Sequence, residues 1–238
     1  MKKLFLTLIL SIFCLSSVLL AQTGTNDTQT TKNLADLSIG FGKGTFSTSI
    51  SGFRLHPVAL KKKFHLGYGL RYTGFFGNNK EYITAPADVS EGNFLKPQNK
   101  AKLDTITFAS TQVNSVNLNV HLAYAINSKL LVGFNIDAIG FSVGSPRGGV
   151  LQSNGVLSSV QAEVSSFNIL LTGDYDKGSL NSEFYALYAL NDKFKLKGGV
   201  SFIFTEYTTD KKIASNFDND KFRNKNLGLM LGVAYSLW

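Results

Sequence analysis

The three histidines are the side chains of this sequence best suited to binding a metal ion or to moving a proton. They are His56, His65 and His121, and imidazoles on neighbouring strands can bind zinc. The strand pattern places them on three successive strands, so about 10 Å separates the first strand from the third. No cysteine or nearby carboxylate completes a ligand set. We therefore predict no metal site and interpret the histidines as polar residues inside the fold.

Motifs for nucleophilic catalysis or phosphate binding are also missing from the sequence. Serines are abundant, but no G-x-S-x-G nucleophile elbow occurs. The glycines between Ser142 and Gly149 do not form a phosphate-binding loop that leads into a helix. The sequence therefore predicts no catalytic residue and no cofactor.

Apolar residues alternate with polar or small residues from about residue 35 onward, which is typical of β-strands with one apolar face. The clearest apolar sets are Leu37, Ile39 and Phe41; Phe64, Leu66, Tyr68, Leu70 and Tyr72; Val116, Leu118, Val120, Leu122 and Tyr124; and Leu227, Leu229, Leu231, Val233, Tyr235 and Leu237. With 19 Phe, 9 Tyr and 22 Gly but only 4 Pro, the composition suits strands that lie between an apolar environment and a crowded interior.

Short and long connections alternate between these strands. Three tight turns lie at 60–63, 126–129 and 190–193. Three long polar connections lie at about 78–104, 145–179 and 209–224. A soluble β-sandwich would show the same alternation of residues, but short turns on one side and long loops on the other are typical of membrane β-barrels.

This rule predicts an all-β fold, an antiparallel up-and-down transmembrane β-barrel of eight strands. The strands are predicted at about 36–44, 49–59, 64–77, 105–125, 130–144, 180–190, 194–208 and 225–238. The count is even, and both ends fall on the side of the short turns, which is periplasmic in such barrels. The segment 165–175 could extend the sixth strand or add a hairpin, so ten strands are the alternative.

The N-terminus has the features of a secretory signal peptide. Two lysines follow the first methionine and precede an apolar run from Leu4 to Leu20, which ends before Ala21-Gln22. A retained membrane helix is the alternative interpretation. We predict a signal peptide at 1–21, a flexible N-terminal segment at 22–34 and the barrel at 35–238.

Cleavage of this leader would leave one domain of about 217 residues. It would remove Cys14, the only cysteine, and with Lys2 and Lys3 it would lower the formal net charge from +8 to +6. The remaining positive charge is scattered, and no Lys/Arg-rich run indicates nucleic acid as a partner.

The last strand has the pattern of an assembly signal. Gly232, Tyr235 and Leu237 fit it and Trp238 is the terminal aromatic residue, whereas Ser236 stands where a hydrophobic residue is expected. In this strand the chain resembles bacterial outer-membrane β-barrels. With its turn sequences, such as 191–193, and the stretch 178–188, the whole of 35–238 resembles the small outer-membrane β-barrel proteins of Bacteroidetes, distant relatives of the OmpA/OmpX type.

The resemblance implies a location in the outer membrane of a Gram-negative bacterium. The implied partners are outer-membrane lipid, lipopolysaccharide and, during insertion, the barrel-assembly machinery; a monomer is expected. The apolar faces would contact lipid. A periplasmic girdle of aromatic residues would consist of Phe64, Tyr124, Tyr188, Phe194 and Tyr235. Phe76, Phe108 and Tyr207 would lie near the outer interface.

Counting upward from the short turns predicts which charged residues face the lumen. Those at mid-height would be Arg54, Arg71, Asp137 and Glu183, and those nearer the periplasm Lys195, Lys197 and the three histidines. Buried charges persist when they are paired, so we predict an ion network that closes the lumen. A gated polar conduit is the alternative.

The predicted function is that of a closed structural barrel that presents extracellular loops. A narrow pore for small or apolar solutes and a surface adhesion or receptor module are the alternatives. We predict that the chain is not an enzyme, because a lipid hydrolase needs a nucleophile and a histidine base within reach of lipid. The histidines are predicted at the periplasmic end, away from the lipids of the outer leaflet.

Overall fold

The computed structural model of the chain describes residues 31–59, 62–85, 103–171, 175–213 and 219–237. In these ranges, no helix is long and apolar enough to cross a membrane. The predicted signal peptide and Trp238 lie outside the described residues. Residues 32–34, which the sequence assigns to a flexible segment, belong to the first strand instead.

The described residues form eleven strands. They are β1 (Lys32–Gly42), β2 (Thr45–Ala59), β3 (Phe64–Thr84), β4 (Thr105–Ala125), β5 (Leu130–Val143), β6 (Arg147–Ser153), β7 (Val156–Val164), β8 (Phe167–Ile169), β9 (Leu180–Ala189), β10 (Phe194–Ile213) and β11 (Asn219–Ser236). The eight predicted strands correspond to β1–β5 and β9–β11, while β6, β7 and β8 lie in the long connection between β5 and β9.

Eight strands close into an antiparallel ring, which confirms the predicted all-β, up-and-down barrel of eight strands. The order is β1-β2-β3-β4-β5-β9-β10-β11, and β11 pairs back with β1 along nine residues of each strand. The ten-strand alternative is wrong because 167–169 forms only the short strand β8, which pairs with the upper part of β5. We call the side of the long connections the upper side.

Side chains alternate between the interior and the exterior along each strand of the ring. On β4, for example, Asn117 and Asn119 are buried, whereas Val116 and Leu118 are 47% and 54% exposed. A shift of one residue in this alternation moves every following side chain to the other face. The irregularities of the strands therefore decide which residues line the lumen.

A second, narrower ring stands on the upper side of the first. Here β6 and β7 form a hairpin whose turn residues Asn154 and Gly155 both have positive φ, 48° and 78°, as a two-residue type I′ turn requires. β6 pairs with β4, β7 pairs with β10, and β11 pairs with β3. The strands β3, β4, β6, β7, β10 and β11 thus close what we call the upper ring.

Two apolar clusters fill the ends of the interior. The upper cluster consists of Phe75, Tyr82, Ile106, Phe108, Val113, Leu151, Ala162, Ile203, Tyr207 and Phe222. The lower cluster consists of Leu34, Phe53, Leu55, Ala123, Leu131, Tyr185, Leu187, Met230 and Ala234. Along β3, β9 and β10, buried charged residues lie between the two clusters.

The expectation that Phe108 and Tyr207 face outward near the outer interface is wrong. Both are fully buried, and their ring centroids lie 5.0 Å apart inside the upper ring. On β4, Ala109 and Ser110 are consecutive exposed residues. The alternation between inward and outward side chains therefore shifts by one residue there, and Phe108 points inside. Phe76 is 38% exposed and does face outward.

Candidate functional site

The centre of the lumen holds an ion pair between neighbours on different strands. Arg71 comes from β3 and Asp137 from β5, and both are fully buried. Nε and Nη2 of Arg71 donate to Oδ1 of Asp137 over 3.0 and 2.5 Å. Oδ2 of Asp137 accepts from Nδ2 of Asn117 at 2.8 Å and from the backbone N–H of Asn181 at 2.9 Å. The buried carboxylate is therefore hydrogen-bonded at both oxygens.

Glu183 on β9 extends this pair into a network. Its Oε1 lies 3.2 Å from Nη1 of Arg71. Its Oε2 accepts from Nζ of Lys197 at 2.9 Å and from Nδ2 of Asn135 at 2.8 Å. Lys197, on β10, donates over another 2.9 Å to Oδ2 of Asp36 on β1. Two cations and three carboxylates from five strands thus form one chain of contacts across the lumen.

Polar side chains cover this network on its upper side. Asn168 of β8 is fully buried, and its Nδ2 donates to Oδ1 of Asn117 and to Oγ of Ser142, both over 2.8 Å. Its Oδ1 accepts from the backbone N–H of Ser179 at 2.8 Å. Asn168 and Ser179 therefore cover the ion network from above, and both hydrogen-bond with Asn117, which contacts Asp137.

Four of the predicted lumen residues meet in this network: Arg71, Asp137, Glu183 and Lys197. The fifth member, Asp36, was not predicted from the sequence. The signal was present, because Asp36 stands two residues before Ser38 on the polar face of β1, and Oγ of Ser51 also donates to its carboxylate at 3.0 Å. Lys195 lies at the lower rim instead, where its Nζ donates to Oγ of Ser236.

The prediction that Arg54 and His56 face the lumen is wrong. Arg54 is exposed, and His56 stacks on the outward ring of Tyr68 with centroids 6.0 Å apart. The register of β2 and β3 shifts between Pro57 and Ala59. This irregularity adds one residue just above the tight turn, so a count upward from the turn assigns the wrong face.

The other two histidines lie inside the barrel, at different places and with different contacts. His121 is fully buried, stacks on Phe53 with centroids 4.4 Å apart, and contacts the hydroxyl of Tyr185 at 3.3 Å. His65 is buried near the lower rim, where its Nδ1 lies 3.0 Å from the carbonyl oxygen of Lys63. In the part of the chain that is described, no group of three or more His, Cys, Asp and Glu side chains could hold a metal ion.

The residues of the predicted assembly signal lie on the strand that closes the ring. A Cβ at Gly232 would lie 2.4 Å from the carbonyl oxygen of Leu37, so β1 and β11 approach closely there. Tyr235 packs against Phe194 with ring centroids 5.1 Å apart, and Leu237 is 41% exposed. Their role in assembly stays a prediction.

No protein-family model and no curated protein matches this chain. Solved structures similar to it include outer-membrane β-barrel proteins. Neisserial surface protein A is 11% identical, with coverage of 87% of this chain and 96% of that one and a TM-score of 0.38. Ail, the attachment invasion locus protein of Yersinia pestis, is 10% identical, with coverage of 87% and 99% and a TM-score of 0.34. The outer membrane protease OmpT of Escherichia coli is 13% identical, with coverage of 84% and 68% and a TM-score of 0.36.

Proposed function

We propose that the chain is an outer-membrane β-barrel with a closed lumen that anchors a folded β-structure on the outer surface of the cell. The observation that carries this proposal is the belt of exposed apolar side chains around the eight-stranded ring. Soluble proteins rarely expose contiguous apolar patches larger than a few hundred Å². A belt on every strand of a closed ring matches the lipid-facing surface of a membrane barrel.

The belt has the height that a bilayer requires. On β11, outward side chains are apolar from Leu227 to Leu237, with Leu229 and Leu231 exposed by 70% and 63%. At about 3.3 Å per residue and a tilt of about 40°, this stretch spans about 25 Å along the barrel axis. The same face carries Leu37, Ile39 and Phe41 on β1 and Leu118, Val120 and Leu122 on β4.

The filled interior favours a closed barrel over a narrow pore. Arg71, Asp137, Glu183 and Lys197 are at most 2% exposed, and apolar clusters lie on both sides of them. An eight-stranded barrel is just wide enough for side chains to fill it. An ion on its way through the lumen would have to displace paired charges and two apolar layers.

The long connections support the outward-facing part of the proposal. Their strands build the upper ring, so the surface above the belt is a folded structure with its own apolar core. Near the tip of the β6–β7 hairpin, Val156 and Leu157 are 67% and 68% exposed. This exposed apolar pair favours an adhesion or receptor role as the second candidate function.

The finer assignments rest on the resemblance of the sequence. By that resemblance, the chain is a small barrel of the Bacteroidetes type and is exported by a signal peptide. It contacts lipopolysaccharide and, during insertion, the barrel-assembly machinery. The short-turn side is then periplasmic and the upper ring extracellular.

Insertion into a bilayer should fail when a charge is placed in the belt. Leu231→Arg, near the middle of the apolar stretch of β11, should cost about 2–4 kcal/mol of folding free energy in lipid. Leu157→Arg changes an equally exposed leucine outside the belt, 68% against 63% exposed, and should cost close to nothing. The measurement is the fraction of the chain that gives a heat-modifiable band after folding into vesicles. Equal losses for the two variants, or no heat-modifiable band for the unmodified chain, would contradict a membrane barrel.

The inserted barrel should not conduct ions. In planar bilayers, protein that has been shown to insert should give no discrete conductance steps, whereas a general porin in the same apparatus should give them. Stable steps from the unmodified chain would overturn the closed lumen and favour the narrow pore.

A further inference from the structure

The lower rim of the barrel carries a regular series of lysines. Lys63, Lys129 and Lys193 occupy equivalent positions, each immediately before an upward strand, β3, β5 or β10. The carbonyl oxygen of each accepts a backbone hydrogen bond of 2.8 Å from the end of a neighbouring strand, namely from Ala125, Ala189 and Ser236. The three lysines are therefore placed by the ring itself, two strands apart, which is about 10 Å.

The turns fix the backbone of these lysines and leave the side chains exposed. Oδ1 of Asn127 accepts from the backbone N–H of Lys129 at 2.9 Å, and Oδ1 of Asn191 accepts from that of Lys193 at 3.0 Å. All three lysine side chains are exposed, and none is in an ion pair with a described residue. The ammonium groups are available to a partner.

The charge of this rim is one-sided. Its basic residues are Lys32, Arg54, Lys62, Lys63, Lys129, Lys193 and Lys195. Asp192 is the acidic residue on the described part of the three turns. At the upper end the signs are mixed, as in Glu163, Asp176, Lys177, Asp220 and Lys221. The positive charge of the rim therefore reflects its position in the fold and not only the basic composition of the chain.

The rim lysines lie next to the lower edge of the belt. Phe64 follows Lys63, and Phe194, which is 46% exposed and packs on Tyr235, follows Lys193. Aromatic rings of this kind lie at the level of lipid headgroups. A lysine beside such a ring can lay its alkyl stem along apolar surface and place its ammonium group among the headgroup phosphates.

We propose that the lower rim binds anionic glycerophospholipids of the membrane leaflet that surrounds it. This inference rests on the proposed membrane location and adds a lipid class to it. Regular spacing, one-sided charge and a place at the edge of the apolar belt favour a lipid headgroup over an anionic polymer of the cell wall. A lysine near an anionic membrane surface strengthens binding by about fivefold.

The test is lipid selectivity in reconstituted membranes. The chain is folded into phosphatidylcholine vesicles, and the association of spin-labelled phosphatidylglycerol is compared with that of spin-labelled phosphatidylcholine by electron paramagnetic resonance. We expect the unmodified chain to prefer phosphatidylglycerol, and Lys63→Gln/Lys129→Gln/Lys193→Gln to lose about fivefold or more of that preference. The matched control Lys43→Gln/Lys177→Gln/Lys225→Gln removes three exposed lysines from the other end and should keep it.

The possible outcomes separate this inference from the proposed function. If the chain does not insert, the membrane barrel itself fails. If it inserts without a preference for phosphatidylglycerol, or if both triple variants lose the preference equally, the rim has no lipid role. If it inserts without such a preference but sediments with purified cell-wall sacculi in a manner that needs the rim lysines, a wall polymer is the partner and the lipid proposal is overturned.

Discussion

Replacing Arg71 by methionine is expected to lower the free energy of unfolding by about 3–5 kcal/mol, because it leaves buried carboxylates without their cation. Arg71 is fully buried and contacts both Asp137 and Glu183. Methionine keeps much of the volume and the flexible stem, so the loss reports charge and hydrogen bonding more than packing. The measurement is the denaturant midpoint of the folded band in detergent micelles.

Arg54→Met is the matched control for this substitution. It makes the same chemical change on β2, where the side chain is exposed, and surface changes of this kind shift stability by about 0.5 kcal/mol or less. A second variant, Arg71→Met/Asp137→Asn, removes one of the buried carboxylates that lack a cation. It should recover part of the lost free energy of unfolding. Equal effects of Arg71→Met and Arg54→Met would mean that the network does not hold the barrel together.

The eight-stranded ring follows from the sequence because alternation and turn length are local signals. The apolar residues alternate without interruption at 116–124 in β4 and at 227–237 at the end of the chain, and the two turns around Asn127 and Asn191 have nearly the same sequence. In each of these stretches, only one of the two alternating sets of side chains is apolar, so the outward face is fixed. The prediction of the strand ends was less accurate, because β3 and β10 continue above the belt to Thr84 and Ile213.

Interior positions were predictable only where the alternation is unbroken. Arg71 and Lys197 lie on regular stretches, and the structure places them in the lumen. Arg54 lies beyond the irregularity at Pro57, and an extra residue of this kind leaves no mark in the hydrophobic pattern. Asp36 lies in the strand predicted at 36–44, but no short turn precedes that strand, so a count upward from the short turns does not reach it.

The upper ring was not predicted because its pairings join distant segments. The connection 145–179 has a polar composition, and a hairpin in it can be recognised from Asn154-Gly155. However, the pairing of β6 with β4 joins Leu151 to Ile106, and the pattern within either segment does not identify its partner. The apolar residues of this region, such as Phe108, could therefore be assigned to the lipid interface by mistake.

Phe108→Ala should open the upper ring and leave the membrane belt intact. The ring of Phe108 is fully buried and lies 5.2 Å from that of Tyr82 and 5.0 Å from that of Tyr207. Removal of a buried phenylalanine ring costs about 3–5 kcal/mol. If the upper ring opens as one unit, amide hydrogen exchange in β6 and β7 should accelerate by about a hundredfold or more. Phe76→Ala, the control on the outer face, should leave this exchange close to that of the unmodified chain.

The pattern of exchange in Phe108→Ala also tests whether the two rings are separate cooperative units. The strands β3, β4, β10 and β11 belong to both rings, so the rings share a boundary. If exchange accelerates in β6 and β7 while β1 keeps its protection, the ion network below holds the barrel independently of the apolar core above. If β1 accelerates equally, the chain unfolds as one unit, and the stability lost in Arg71→Met must then appear in the upper ring as well.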